Sequence, residues 1–155
     1  MTPIGIMSAM HEELAAVLQA LPDEQRVQVA GRDFWQGHWH GRPVVAVLSR
    51  IGKVAAASTA ALLIERHRVD VVLFTGVAGG LGEHIRVGDA VIGSEFLQHD
   101  MDASPLFPRH EVPLTGMSQF PADPGLTEAL AHAAPLALQD MRGGLPEAEW
   151  LGLDL

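Results

Sequence analysis

The run DVVLFT at residues 70–75 is apolar from Val71 to Phe74, and four glycines follow within seven positions: Gly76, Gly79, Gly80 and Gly82. A strand with no polar alternation must be covered on both faces, which is the habit of parallel strands in α/β proteins. A glycine cluster at the end of such a strand points to a ligand lying against bare backbone, because open α/β sheets carry their sites at the carboxyl ends of strands. The plainer alternative is a tight turn.

The rest of the chain supports the same class. PIGIMSA reads as a short buried strand, and MHEELAAVLQAL places Leu14, Val17, Leu18 and Leu21 at helical spacing before Pro22 stops it. RVQVAGRDFWQGHWHGRPVVAVLSR reads as strands joined by tight turns at Gly31 and His40-Gly41. KVAAASTAALLIERH is an alanine-rich helix closed by basic residues that suit its C-terminal dipole. GDAVIGSEF reads as another strand, residues 99–123 as a long irregular loop, and PGLTEALAHAAPLAL as a helix that Pro135 limits. Strand, helix, strands, helix, strand is the order of an α/β fold with a mixed, largely parallel sheet.

Composition narrows the function. The 155 residues suffice for a real core, and 48% of them are hydrophobic. The formal net charge is −9 and the basic residues are scattered, so nucleic acid is not an expected partner. With no cysteine there is no disulfide, thiol nucleophile or cysteine-based metal site, and a reducing cytoplasm is the expected location. The start MTPIGIMSAMHEEL has no basic segment before its acidic residues, so no signal peptide is expected. VAAASTAALLI is too short to span a bilayer, so no membrane association is expected.

Each chemical signal has a dull counterpart. The glycine cluster lacks the third glycine and the following helix of a dinucleotide loop, and IGKVAAAS lacks the upstream glycine and the Ser or Thr of a phosphate-binding loop. His38 and His40 lie on one strand face without a third ligand, and HDMD at 99–102 reads as a polar strand exit, so no metal or other cofactor is expected. Glu12 and Glu13 follow the first strand. For Glu12 the preferred account is an acidic first helical turn. For Glu13 that account and a strand-end catalytic carboxylate both stand.

IGIMSAMHEEL, SRIGKVAAA and TGVAGGL…VGD, in this order and at these intervals, resemble the 5′-methylthioadenosine/S-adenosylhomocysteine nucleosidases of the purine nucleoside phosphorylase superfamily. HDMDASPLF followed by EVPL is similar to that family's long loop, and the likeness covers roughly residues 4–142. The resemblance implies a three-layer nucleoside-phosphorylase-like fold. It implies hydrolysis of the N-glycosidic bond of either nucleoside to adenine and a 5-thio-substituted ribose, with no cofactor. It makes Glu13 the residue that holds and activates water, with Ala9 and Met10 beside it. Ile51 would meet the apolar 5′-thio group, and Val77, Ala78 and Gly79 would lie against ribose and adenine. Phe107 and the Pro113 segment would reach a neighbouring subunit's pocket, which implies a homodimer.

Two departures qualify it. Val77 stands where the family often has serine, so a hydroxyl hydrogen bond is lost. The family's later segments, with ribose contacts and the aspartate that acts as general acid, have no match in GLPEAEWLGLDL. The expectation is therefore a nucleosidase-like domain over 1–142, incomplete at its C-terminal side, and a divergent, non-native tail over 143–155 in a truncated or frame-shifted product with impaired activity. A nucleoside phosphorylase and a futalosine-type hydrolase are the alternatives within the superfamily, and a non-catalytic remnant is the alternative outside it. The acidic pair after the first strand suits water better than phosphate.

Overall fold

The computed structural model describes residues 1–144 and divides the chain into two compact units, Met1–Gly79 and from Gly80 onward. The first unit holds β1 (Ile4–Ser8), α1 (His11–Gln19), β2 (Gln25–Val29), β3 (Arg32–Trp39), β4 (Arg42–Leu48), α2 (Lys53–His67) and β5 (Val71–Phe74). Its five strands form one mixed sheet in the order β2-β3-β4-β1-β5. β1 pairs in parallel with β4 and β5, whereas β2, β3 and β4 form an antiparallel meander.

Alternation along the strands builds two cores. Ile6, Val44 and Ala46 point to one face and pack with Leu14, Val17 and Leu21 from α1 and the turn after it. Met7, Val45 and Val47 point to the other face and pack with Phe34, Val69 and Leu63 of α2. Side chains two residues apart share a face, so β1 and β4 feed both cores at once and show no polar alternation. Leu14, Leu63 and Phe34 are fully buried, each contributing roughly 1.5–3 kcal/mol over an exposed side chain.

The meander turns at Ala30-Gly31 (φ 50 and 72°) and His40-Gly41 (φ 49 and 76°). Two successive left-handed residues are the pattern of type I′ hairpins, whose twist matches that of the strands. At these glycines the backbone conformation is what matters, since a Cβ would meet nothing within 4 Å.

The second unit holds a two-stranded antiparallel ribbon, β6 (Glu95–Leu97) with β7 (Gln119–Pro121), and α3 (Pro124–Gly144). Here two expectations are corrected. Of GDAVIGSEF only Glu95 and Phe96 enter a strand: residues 88–93 join no ladder, Ser94 makes one bond beyond the ribbon as its carbonyl accepts from Ala122 N–H at 2.9 Å, and Gly88 has φ 95°. Pro135 does not limit the last helix, which continues to Gly144. The ring removes one helical hydrogen bond, but Pro135 and Ala131, whose carbonyl it frees, are both exposed, so water can satisfy that oxygen. The long loop is organised by turns, among them His110 N–H to Met101 O at 2.9 Å and a Val112–Met117 bridge. Of the divergent tail, residues 143 and 144 belong to α3, and 145–155 lie outside the described residues. No helix among the described residues is long and apolar enough to cross a membrane.

Candidate active site

Parallel pairing brings the carboxyl ends of β4, β1 and β5 to one edge of the first unit. The ladder runs just past the strands: Ser49 N–H donates to Ser8 O at 2.8 Å and Thr75 N–H to Met7 O at 3.0 Å. Beyond these bonds the three chains part, and residues 9–13, 50–52 and 76–79 line the edge. All three begin one residue after the hydroxyl residue that ends the apolar run, Ser8, Ser49 or Thr75.

Glu13 joins two of these segments. Its Oε2 accepts from the amides of Ala9 and Met10, both at 2.9 Å, and its Oε1 accepts from the Val77 amide at 2.9 Å. Met10 is the N-cap of α1 and Glu13 is at N3, so this is the reach-back half of a capping box. The same carboxylate therefore caps α1, ties it to the end of β1 and reaches 64 residues along the chain to the segment after β5. The Val77 amide, first, holds the Glu13 carboxyl below the usual range by stabilising its charged form; burial, second, opposes it, and the Met10 and Ala9 amides add to the lowering. No charged side chain is among the causes.

The lining around the carboxylate is apolar. Ala9 and Met10 are half-buried, whereas Ile51, Val77, Ala78 and Gly79 are exposed. Ile51 and Val77 are each 78% exposed, a large apolar surface for a strand edge with no protein side chain over it. Glu12 is exposed beside the site. The structure thus brings Ala9, Met10, Glu13 and Val77 together directly and sets Ile51, Ala78 and Gly79 on the same strand-end segments. Phe107 and Pro113, both half-buried, belong to the second unit. There Phe107 N–H donates to Ala103 O at 3.2 Å, and Pro113 sits in the turn bridged by Val112 and Met117.

Sequence reasoning passed over Gly76 as a residue in its own right. A Cβ built on it would lie 2.7 Å from Glu13 Oε1 and 2.9 Å from Oε2. The available signal was its place as the first residue after an apolar strand.

Other clefts of the first unit lie away from this edge. One of about 610 Å³ is lined by Ala20, Asp23, His38 and Trp39, at the opposite end of the sheet. It is mostly apolar, and its polar pair, Asp23 and His38, is already bonded at 2.7 Å. The strand-end edge is the better chemical candidate, because there a carboxylate is held by three backbone amides from two separated segments. His38 and His40 are exposed on the hairpin. Among the described residues no group of three or more His, Cys, Asp or Glu is arranged to hold a metal ion.

A model of the phosphorylase superfamily matches residues 3–144. The 5′-methylthioadenosine/S-adenosylhomocysteine nucleosidase of Oceanobacillus iheyensis is 46% identical over 101 residues, 65% of this chain and 44% of that one. The nucleosidase of the same name from Shewanella loihica is 37% identical over 138 residues, 89% of this chain and 58% of that one. Among solved structures, the Neisseria meningitidis nucleosidase in complex with methylthio-immucillin-A superposes with a TM-score of 0.83 at 33% identity, over 88% of this chain and 59% of that one. The futalosine hydrolase of Helicobacter pylori superposes with a TM-score of 0.83 at 28% identity, over 88% and 59%. The chain spans about half the length of the curated relatives it matches.

Proposed function

The chain belongs to the phosphorylase superfamily, and within it we propose that residues 1–79 carry the water-activating part of a nucleosidase site for 5′-methylthioadenosine and S-adenosylhomocysteine. One observation carries hydrolysis over phosphorolysis. The amides of Ala9, Met10 and Val77 converge on one point, a ready-made anion site, and the chain's own Glu13 carboxylate fills it. A phosphate there would compete with a fixed negative charge, whereas a water can hydrogen-bond to it.

The chemistry assigns the roles. As the C1′–N9 bond breaks, adenine leaves with the bonding pair and the ribose gains oxocarbenium character. Water attacks the opposite face, and Glu13 orients it and takes its proton. Ala9 and Met10 hold Glu13 and line the pocket beside it. Ile51 meets the apolar 5′-thio group, and Val77, Ala78 and Gly79 present backbone to ribose and purine. Phe107 and Pro113 serve the pocket of a second subunit in a homodimer. The leaving adenine needs an acid, and in the first unit the only carboxylates on the strand-end segments are Glu12 and Glu13. General acid catalysis typically contributes 10²–10⁴-fold, so these segments alone, without an acid, are expected to release adenine well below ordinary enzymatic rates.

The test has two parts. Calorimetric titration of the chain with 5′-methylthioadenosine should show binding that weakens in Glu13→Ala. No binding of either nucleoside would overturn the site in favour of a non-catalytic remnant. Adenine release followed by chromatography with and without inorganic phosphate tests the reaction. Release that depends on phosphate would make the chain a phosphorylase, and release at ordinary enzymatic rates would show that an acid is present. Futalosine as competitor separates the third possibility.

A further inference from the structure

Gly76 has no left-handed backbone to account for it: Gly31, Gly41, Gly52, Gly88 and Gly116 carry positive φ, and Gly76 does not. No left-handed φ calls for glycine there. What excludes a side chain is space, and the atoms that fill that space are the carboxyl group of Glu13: Oε1 at 2.7 Å, Cδ at 2.8 Å and Oε2 at 2.9 Å from the Cβ position. Real Cβ atoms do not approach so closely, so a methyl group would force one partner to move. A surface carboxylate normally could swing away. This one is pinned from both sides, by Ala9 and Met10 through Oε2 and by the next residue, Val77, through Oε1.

We propose that Gly76 is a positioning residue for Glu13: its missing side chain leaves the slot in which the carboxylate lies flat against the end of β5 and meets the Val77 amide. The slot divides the two oxygens. Oε2 is committed to the start of α1, where it satisfies two adjacent amides. Oε1 has the single bond to Val77 and is the oxygen presented to the segment that would lie against substrate. Moving the carboxylate out of the slot breaks the Val77 bond first and leaves the α1 cap in place. The inference rests on the proposed role of Glu13 for its functional meaning, but its geometry does not depend on any nucleoside. The titratable neighbours within the first turn of α1 are His11 and Glu12, both exposed; the third strand-end segment and the start of α2 add Arg50 and Lys53, also exposed, and the segments 8–10 and 75–79 contribute no titratable side chain.

Side-chain carboxyl NMR of Glu13 in the full chain, followed through acid pH, tests this. In Gly76→Ala the Glu13 midpoint should move up toward the ordinary carboxylate range, and the Val77 amide shift should stop following that titration. Gly79→Ala, where a Cβ would meet nothing within 4 Å, should leave the midpoint where it is in the parent chain. An unchanged midpoint and an unchanged Val77 response in Gly76→Ala would overturn the proposal. If Gly76→Ala is too unstable to titrate, the pair is compared in a Glu13→Ala background. Recovery of the denaturation midpoint there, to that of Glu13→Ala alone, supports the slot, and persistence of the full loss overturns it. Neither readout uses a nucleoside. Failure of the binding test above with a shifted Glu13 midpoint would therefore remove the nucleosidase assignment and leave the positioning intact, and the reverse pattern would remove the positioning alone.

Discussion

Two carboxylates at opposite ends of the first unit's sheet both rest against glycines, and they are held by different kinds of donor. Glu13 is bound only by backbone amides, from Ala9, Met10 and Val77. Asp23 is bound by one residue, His38, through its amide at 2.8 Å and its ring nitrogen at 2.7 Å. A Cβ on Gly37 would lie 2.9 Å from Asp23 Oδ1, much as one on Gly76 would crowd Glu13. Both carboxyls are held below their usual range, Glu13 chiefly by the Val77 amide and Asp23 chiefly by the His38 side chain. The difference lies in freedom. Backbone amides cannot rotate away, and those on Glu13 come from two separated segments, so its carboxylate is fixed in place. Asp23 faces solvent, and its two donors, one backbone amide and one rotatable ring, belong to a single residue, so it is tied to one point of the hairpin.

Removing the two carboxylates should separate them most clearly. Glu13→Ala uncaps α1 and leaves three amides without their acceptor, at a cost of about 2–3 kcal/mol. Asp23→Ala should lower stability less, because solvent reaches both partners. Urea denaturation of the two variants measures this, and equal losses would break the comparison.

Adding a methyl group under each carboxylate should give a smaller contrast. Gly76→Ala should cost about 1–2 kcal/mol, the usual scale of overpacking against a group that cannot move. Gly37→Ala should cost less, since Asp23 can turn outward and alanine suits a strand better than glycine. Denaturation midpoints again decide it, and a larger loss at Gly37 would reverse the assignment of the pinned site.

Acid sharpens the contrast further. The folded Glu13 carboxyl titrates below its unfolded value. Its contribution to stability is thus complete above the ordinary carboxylate range and is lost as pH falls through the depressed folded value. Glu13→Gln should flatten that limb of the stability profile, and Asp23→Asn, with the same sign, should flatten it less. Equal flattening would show that backbone and side-chain donors are equivalent here.

The smallest effect concerns His67, on the Asp23 side of the sheet. It stacks on Phe34 with ring centroids 4.3 Å apart, and burial first, then Arg66, pushes its imidazole below the usual range. The unfolded chain therefore takes up that proton first, and stability should decline as pH falls from about 7 toward 5, below the ordinary histidine value. His67→Gln should reduce that decline while leaving the Glu13 limb untouched, as pH-dependent thermal melts would record.

Much of this was legible along the chain. The buried strands, both helices of the first unit and the hairpin turns follow from local pattern: continuous apolar runs, helical spacing and glycines at the turns. Glu13 could be found because IGIMSAMHEEL places it just past a strand end, but its two accounts could not be separated. In the structure the carboxylate caps the helix and also bonds the Val77 amide at the end of β5. Two elements misled. GDAVIGSEF has strand composition, yet an extended segment becomes a strand only where a partner's amides and carbonyls are in register. Pro135 has the chemistry of a helix breaker, yet an exposed helix can hydrate the carbonyl it frees.

The sequence by itself determined the α/β class and put Glu13 just past the end of β1, because each depends on neighbours a few residues apart. Only the tertiary structure decided that Gly76 must lack a side chain, since that rests on a contact with Glu13, 63 positions earlier. A glycine required by its own backbone angle and a glycine required by a distant carboxylate look alike in sequence. They differ only in what occupies the space beside them.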